Sequence, residues 1–407
     1  MEYVGQRTID DIRADFPIFG NRPGLAYLDS AATAQVPSAV LEAMMRFEVT
    51  QRANVHRGVY SLAEEATEAF EAARRTVADF IGAQSHEVSF VPSTTYGMHM
   101  AAEMLAERLG KGDGILVSSM EHHSALLPWR RVAEERGAMM TTVPHTTDWR
   151  LDMETLGVML HERVKVVVVT AASNVLGTVN PIADIVKLAH AVGAVVVVDA
   201  AQYAPHLLMN VKEWGADVVV FSGHKLYGPM GVGVMYIAND LGRTLVPAVQ
   251  GGGMVRDVKR GANVWEDRPW KFEAGTQNVG AAIGLAAAMT YVDGIGRGAV
   301  AAREEELTRE LIVGLLSFGD IAIIGPDSMN DRIGVVSFTI PGCHPHDVAT
   351  LLGADGVCIR AGHHCVQPLV EGIDVRGVCR ASIGLYTTRE DIAQFVDSLR
   401  RARQTLV

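Results

Sequence analysis

The sequence has 407 residues, 48% hydrophobic and 20% charged, which is typical of globular proteins and excludes disordered, fibrous or membrane-embedded chains. Its formal net charge is −11 and no run of Lys or Arg is long enough to follow a phosphate backbone, so we expect no nucleic-acid partner. The first residues lack a secretory signal pattern, and every apolar run is far shorter than the roughly 20 residues that cross a bilayer. We therefore expect a cytoplasmic protein with no membrane partner.

Helical patterns alternate with short β-branched runs between about residues 62 and 237, which favours βαβ units and a mostly parallel sheet. Residues 62–81 place their apolar side chains along one stripe and predict an amphipathic helix. Strands are predicted at 87–91, 114–118, 164–170, 194–198, 218–221 and 233–237. Several of these runs are apolar throughout, as in strands that are covered on both faces.

The pattern changes after a Gly-rich loop at 250–255. One long helix with Gly interruptions is predicted from about 279 to 318, where it would link two domains. Farther on, strands are predicted at 335–340 and 357–360 and helices at 346–352 and 389–404. We therefore predict an α/β protein: a large domain at 20–295 with a mostly parallel central sheet, and a smaller α+β domain formed by 1–19 and 296–407.

Two polar residues stand at the ends of predicted strands. Asp199 ends the run VVVVD, and Lys225 lies in a Gly-flanked turn after the strand at 218–221. Ligands bind at the carboxyl ends of strands in an open parallel sheet. A buried carboxylate and an amine at this edge suit pyridoxal phosphate (PLP), because the carboxylate keeps the pyridine nitrogen protonated and the amine forms a Schiff base.

The surroundings of this pair support a phosphorylated cofactor. Ser222 and His224 flank Lys225, and the run STTYG, with Thr94 and Thr95, precedes a predicted helix, so hydroxyls and a helix N-terminus could bind an anion. The adjacent His122 and His123 follow a strand, where one flat imidazole could cover the cofactor. Without an HExxH spacing or a carboxylate cluster, the histidines do not indicate a metal site. Asn174 and Gln202 also follow predicted strands, and either could hydrogen-bond the ring hydroxyl of the cofactor or a substrate.

The four cysteines all lie in the last fifth of the chain and form no CxxC pair, so we expect free thiols. Cys365 stands out because it follows RAGHH in a loop that glycine makes mobile, with Arg360 and two imidazoles nearby to favour the thiolate. The other three are interpreted as two small core residues, Cys358 and Cys379, and an exposed turn thiol, Cys343. Arg360 and Arg380 are candidates for binding a substrate carboxylate.

With these residues in place, the chain resembles the PLP-dependent cysteine desulfurases of the class V aminotransferase family. Within that family it resembles the subgroup of SUF-type desulfurases and selenocysteine-lyase-like enzymes. The matching motifs cover nearly the whole chain: YLDSAATAQVP (27–37), VHRGVYSL (55–62), MEHHSALLPW, SNVLGTVNP, VDAAQ, FSGHKLYGPMGVG, FEAGTQN (272–278), RAGHHC and CRAS. The chain departs from the family pattern at Tyr96, His99 and Val366. The resemblance implies a fold-type-I PLP transferase and a homodimer with its sites at the subunit interface.

The resemblance also implies a role for each matching residue. Lys225 would form the Schiff base and remove the Cα proton, Asp199 would pair with the pyridine nitrogen, and Cys365 would accept the substrate sulfur. The cofactor would further be bound by Thr94, Thr95, Ser222, His224 and the partner's Thr276 at the phosphate, by His123 stacked on the ring, and by Gln202 at the ring hydroxyl. The substrate would be bound by Asn174 and Arg380, with Arg360 and His56 nearby.

The implied reaction converts L-cysteine to L-alanine and leaves a persulfide on Cys365. A SufE-like or SufU-like acceptor protein would then take the sulfur for iron–sulfur cluster assembly. Two alternatives remain open at this point. Another PLP enzyme on the same scaffold, such as a selenocysteine lyase, an aminotransferase or an epimerase, would not need Cys365. A sulfur-relay docking module would not need Lys225 and Asp199.

Overall fold

Short runs of β-branched residues form most of the strands, because these side chains pack well on the covered faces of a sheet. The computed structural model describes residues 2–373 and 375–406. The strands are β1 (Tyr3–Val4), β2 (Arg7–Thr8), β3 (Ala26–Tyr27), β4 (Val88–Val91), β5 (Gly114–Ser118), β6 (Met139–Val143), β7 (Val164–Thr170), β8 (Val195–Asp199), β9 (Val218–Ser222), β10 (Gly233–Ile237), β11 (Val255–Lys259), β12 (Ala262–Trp265), β13 (Ala322–Ile324), β14 (Val335–Thr339), β15 (Val357–Cys358), β16 (Arg360–Gly362) and β17 (Val378–Ser382).

The helices carry the apolar stripes that cover these strands. They are α1 (Ile9–Ala14), α2 (Pro17–Asn21), α3 (Ser38–Thr50), α4 (Ser61–Ile81), α5 (Thr94–Ala106), α6 (His123–Arg136), α7 (Met153–Met159), α8 (Ile182–Ala191), α9 (Val211–Trp214), α10 (Asn239–Thr244), α11 (Val279–Ile295), α12 (Arg297–Leu316), α13 (Pro345–Ala354), α14 (Gln367–Gly372) and α15 (Arg389–Leu406). The amphipathic helix predicted at 62–81 is α4.

The central sheet has seven strands in the order β4-β10-β9-β8-β7-β5-β6. The pairs from β9 to β6 are parallel, and β10 runs antiparallel to both β4 and β9. Both faces are covered: Val196 and Val198 of β8 pack into one apolar cluster, and Val197 packs into another on the opposite face. This arrangement explains the uninterrupted apolar runs and confirms the predicted α/β fold with a mostly parallel sheet.

The single long helix predicted at 279–318 is wrong. The chain forms α11 and α12 instead, bent by 77° at a break where Gly296 has a φ of 100°. Glycine adopts this left-handed conformation without a steric penalty, so the helical path ends there. Among the described residues, no single helix is long and apolar enough to cross a membrane, and α11 and α12 reach that length only together, across their bend.

A four-stranded antiparallel sheet, in the order β13-β14-β17-β16, forms the core of the C-terminal part with α12, α13 and α15. The one strand predicted at 357–360 is wrong, because the chain forms two strands there that join different sheets. β15 pairs in parallel with β3, whereas Arg360–Gly362 pairs with β17. The division into 20–295 and 1–19 with 296–407 stays a prediction, and β3 shows that the two parts share a strand pair.

The fold brings several loops to one edge of the central sheet. β5, β7, β8 and β9 are parallel neighbours, so their carboxyl ends reach the same side. The loop after β16 approaches this side, since the backbone oxygen of Cys365 accepts a hydrogen bond from the backbone N–H of His123. Groups from both parts of the chain therefore meet at the edge where ligands bind in such sheets.

Candidate active site

A cavity of about 200 Å³ opens at the carboxyl edge of the central sheet. Most of the residues predicted to bind cofactor or substrate line it together. Its polar lining includes Thr94, Thr95, His122, Asn174, Asp199, Gln202, Ser222, His224, Lys225, Arg360, His364 and Arg380. The structure thus assembles in one place residues that are almost 290 positions apart in the sequence.

Lys225 and Asp199 form the charged centre of the cavity. Burial lowers the pKa of Lys225 to about 8, with Arg380 and Arg360 acting in the same direction and Asp199 opposing them. Burial raises the pKa of Asp199, while a hydrogen bond of 2.9 Å from the backbone N–H of Ala201 and the charge of Lys225 counter this effect. At pH 7 roughly a tenth of Lys225 is therefore the neutral amine that acts as nucleophile and base, far more than for an ordinary lysine, and the neutral form predominates above about pH 8.

Hydroxyl groups line the cavity where α5 begins. The Ser222 Oγ lies 2.7 Å from both the backbone nitrogen and the Oγ1 of Thr94, the first residue of α5. Burial, and then the charge of Lys225, lower the pKa of His224 to about 4, so its imidazole is neutral. Two hydroxyls, a neutral imidazole and the N-terminus of a 13-residue helix together provide donors for an anion such as a phosphate.

The two adjacent histidines lie in different environments. His122 lines the cavity with Lys225, and burial lowers its pKa to about 3, so the ring is neutral. It also caps α6, because its Nδ1 accepts a hydrogen bond of 3.1 Å from the backbone N–H of Ser124. His123 is the first residue of α6 and lines a separate depression with Leu127 and Pro128. In this structure His122, and not His123, lies in the cavity wall, because the chain turns into the helix between the two residues.

Two arginines form the cationic part of the wall. Arg360 and Arg380 are directly opposite each other in the β16–β17 pair. The Arg380 side chain is buried, donating from Nη2 to Asp29 Oδ1 at 3.0 Å and from Nη1 to the Asn174 carbonyl at 3.0 Å. Its Nε has no partner among the described residues. Because neighbouring like charges are unfavourable, this pair suits the binding of an anion such as a substrate carboxylate.

The polar groups of the cavity fit PLP. Gln202 donates from Nε2 to the Ala31 carbonyl at 2.7 Å, and its buried Oε1 has no partner in the described part of the chain. Unpaired buried polar atoms are costly, so Gln202 Oε1 and Arg380 Nε indicate a polar ligand. An amine, a buried carboxylate, a hydroxyl-lined helix N-terminus and this free acceptor match the aldehyde, pyridine nitrogen, phosphate and ring hydroxyl of PLP.

Cys365 lies beside the cavity in the short loop between β16 and α14. Its side chain is half-buried, and both His364 and Cys365 have positive φ angles, 50° and 59°, which are uncommon for residues other than glycine. The loop is anchored to the cavity wall, because Asn174 donates from Nδ2 to the His364 carbonyl at 2.8 Å. The charge of the Cys365 thiolate is among the influences that raise the pKa of Lys225 and Arg380.

Two predicted site residues lie elsewhere on this chain. His56 and Thr276 line a second cavity of about 250 Å³, together with Trp270 and Gly253. The His56 Nε2 is 2.8 Å from Glu71 Oε1. Neither residue lines the cavity around Lys225 and Asp199 in the same chain.

The structure adds residues that the sequence analysis missed. Glu121 is buried, and its Oε1 accepts hydrogen bonds of 2.6 Å from both the Ser118 hydroxyl and the backbone N–H of Thr170. Burial raises its pKa to about 8. Asp29 contacts Arg380, as described above. Both carboxylates had a visible signal: Glu121 follows an apolar strand and precedes the histidine pair, and Asp29 stands within the motif YLDSAA.

Comparison with known proteins identifies the family of the chain. The sequence pattern of the aminotransferase class-V family matches residues 26–395. A cysteine desulfurase from Pectobacterium carotovorum is 41% identical over 404 residues and covers 98% of both chains. A probable cysteine desulfurase from Halalkalibacterium halodurans is 40% identical over 97% of this chain and 98% of its own. The apo structure of cysteine desulfurase from Thermococcus onnurineus NA1 has a TM-score of 0.95 and 37% identity, covering 99% of this chain and 100% of that one.

The fold, the Lys225–Asp199 cavity and the family match define a PLP-dependent enzyme of aminotransferase class V. Within that class, the full-length identity of about 40% shows that the chain belongs to the cysteine desulfurases.

Proposed function

We propose that this enzyme converts L-cysteine to L-alanine and carries the released sulfur as a persulfide on Cys365. The observation that carries the proposal is the anchoring of the Cys365 loop beside the cavity, by Asn174 of the cavity wall and by the neighbouring His123. These two hydrogen bonds hold a nucleophilic thiol beside the cavity that contains Lys225 and Asp199. An aminotransferase or lyase that uses the cofactor alone has no need for such a thiol.

In this proposal the cavity residues bind and orient the cofactor. Asp199 pairs with the pyridine nitrogen, His122 covers the ring in place of the predicted His123, and Gln202 accepts from the ring hydroxyl through Oε1. The phosphate is held by Thr94, Thr95, Ser222, His224 and the partner's Thr276. When bound, PLP supplies an electron sink for the charge that develops on the substrate carbon.

The substrate carboxylate is held by Arg380, Arg360 and the amide of Asn174, with the partner's His56 nearby. The neutral amine of Lys225 removes the Cα proton, which its lowered pKa permits near neutral pH. The Cys365 thiolate attacks the substrate sulfur, so an S–S bond forms and the C–S bond breaks. The β-carbon keeps the electron pair of that bond and gains the proton that the substrate sulfur gives up, which makes the methyl group of alanine, and Lys225 returns the proton to Cα.

The oligomer and the sulfur acceptor belong to the same proposal. A homodimer is supported by the position of His56 and Thr276, which lie together on a surface outside the Lys225 cavity of their own chain. Each would then complete the cavity of the other subunit. We further propose a cytoplasmic enzyme of the SUF type that passes its persulfide to a SufE-like or SufU-like acceptor for iron–sulfur cluster assembly.

Alanine formation tests the role of Cys365. The holoenzyme is incubated with L-cysteine and a thiol reductant, and alanine is measured for the wild type, Cys365→Ser and the matched control Cys343→Ser. We expect Cys365→Ser to lose at least about 100-fold in alanine formation, because the attacking nucleophile is absent. Cys343→Ser should retain the wild-type rate. Retained turnover in Cys365→Ser would instead assign the enzyme to the lyases or aminotransferases that do not use this thiol.

A further inference from the structure

We propose that His123 is a positioning residue for the nucleophile loop, which we define as residues 363–366. The proposal rests on the function proposed above, in which Cys365 attacks the substrate sulfur. It gives His123 a role different from stacking on the cofactor. In this role the imidazole keeps the loop against the cavity while the substrate is bound.

His123 makes two hydrogen bonds at the C-terminal end of the nucleophile loop. Its backbone N–H donates to the Cys365 carbonyl at 2.8 Å, and its Nε2 accepts from the backbone N–H of Gln367 at 3.2 Å. Gln367 is the first residue of α14, where backbone N–H groups have no partner within the helix. The imidazole therefore supplies a hydrogen bond that the helix itself cannot make.

The ring must be neutral to accept this hydrogen bond, because both nitrogens of a protonated imidazole are donors. Burial, and then the charges of His363 and Arg130, lower the pKa of His123. These neighbours thus favour the form that accepts at Nε2.

The loop needs such anchors because its backbone is strained. His364 and Cys365 are consecutive residues with positive φ, a conformation that persists only where surrounding contacts enforce it. Val366, the last residue of the loop, is 1% exposed and packs with Leu369 and Val370. The amide of Asn174 holds the His364 carbonyl. The backbone N–H of His123 bonds the Cys365 carbonyl, and its imidazole adds a second hydrogen bond just after the loop, at Gln367.

Three variants separate positioning from cofactor binding. His123→Gln places an amide oxygen close to the position of Nε2, whereas the shorter side chain of His123→Asn does not reach it. His161→Ala is a matched control outside the cavity, because the His161 Nδ1 also accepts a backbone N–H, from Arg163 at 3.3 Å. The measurements on each holoenzyme are the absorbance spectrum of bound PLP, the rate of Cys365 alkylation by iodoacetamide, and the rate of persulfide formation after mixing with L-cysteine.

We expect His123→Asn to form persulfide about fivefold more slowly and to be alkylated about fivefold faster, the effect of losing one hydrogen bond of ordinary strength. Its PLP spectrum should be that of the wild type. His123→Gln should return both rates to within about twofold, and His161→Ala should leave them unchanged.

Two results would overturn the proposal. An altered PLP spectrum in His123→Asn with an unchanged alkylation rate would place His123 on the cofactor. Wild-type rates in His123→Asn would show that the ring does not position the loop. If the wild type itself produced alanine without persulfide on Cys365, the proposed function would fail, and this outcome is distinct from both.

Discussion

The cofactor cavity and the nucleophile loop are built in opposite ways. The cavity wall consists of buried groups at the ends of hydrogen-bonded strands, such as Asp199 and Ser222. The loop is a four-residue turn with two strained residues, held by hydrogen bonds to His123 and Asn174 and by the packing of its own Val366. A rigid wall fixes the cofactor in advance of reaction, whereas a thiol that must reach first the substrate and then an acceptor needs contacts that can be released.

The largest effect is expected from removing the amine of Lys225, and this effect should be confined to the cavity. We expect Lys225→Ala to lose at least about 1000-fold in alanine formation, because the base that removes the Cα proton is absent. The rate at which iodoacetamide alkylates Cys365 should change by less than about threefold, the effect of a small change in local charge. Lys271→Ala, which removes another buried lysine outside this cavity, is the control for general damage to the fold. A large change in Cys365 alkylation would mean that the two regions are not separable.

Asp199 should set the protonation of Lys225 within the wall. In cofactor-free enzyme, the rate of PLP uptake should rise with pH and level off above about 8, because the neutral amine reacts. The charge of Asp199 raises the pKa of Lys225. In Asp199→Asn, the midpoint of this pH dependence, which is the pH at which PLP uptake reaches half its maximal rate, should therefore move to lower pH. The same variant should lower alanine formation about 100-fold.

The control for Asp199→Asn is Asp391→Asn, which removes a carboxylate paired with Arg13 away from the cavity. A midpoint that stayed in place or moved to higher pH in Asp199→Asn would contradict the assigned charge pair.

The smallest effect is expected from a change in the nucleophile loop. Val366→Ala removes two methyl groups from an apolar cluster beside the loop and should lower the free energy of unfolding by about 1–2 kcal/mol, measured by denaturant titration. Cys365 alkylation should become a few-fold faster while the PLP spectrum stays the same. An unchanged alkylation rate would show that Val366 does not restrain the loop.

Much of the fold could be predicted because its signals are local. The strands at 114–118, 164–170 and 233–237 have the predicted bounds, since each is a short apolar run flanked by polar or Gly residues. The break at Gly296 could not be placed, because several glycines interrupt the same run and only tertiary packing decides where the helix bends. The separation of β15 from β16 depends on pairing with β3, more than 300 residues earlier in the sequence.

The sequence predicted which residues form the site better than it predicted which side chains face the cavity. Asp199 and Lys225 lie at the carboxyl ends of β8 and β9, so topology alone brings them to one edge. The two arginines lie within β16 and β17 of the other sheet, and the sequence pattern singled them out only as candidates for binding a carboxylate. Adjacent residues such as His122 and His123 cannot be assigned to the cavity by spacing, because the outcome depends on where α6 begins. Glu121 and Asp29 escaped notice since a single carboxylate in a sequence shows neither its burial nor its partner.

The central claim is that Cys365 receives the substrate sulfur. The most direct measurement is the mass of the peptide that contains Cys365 after one turnover of the holoenzyme with L-cysteine in the absence of reductant. We predict a gain of one sulfur atom on Cys365, reversed by reductant, with one alanine formed for each modified subunit. Alanine or pyruvate formation with Cys365 unmodified would contradict the account.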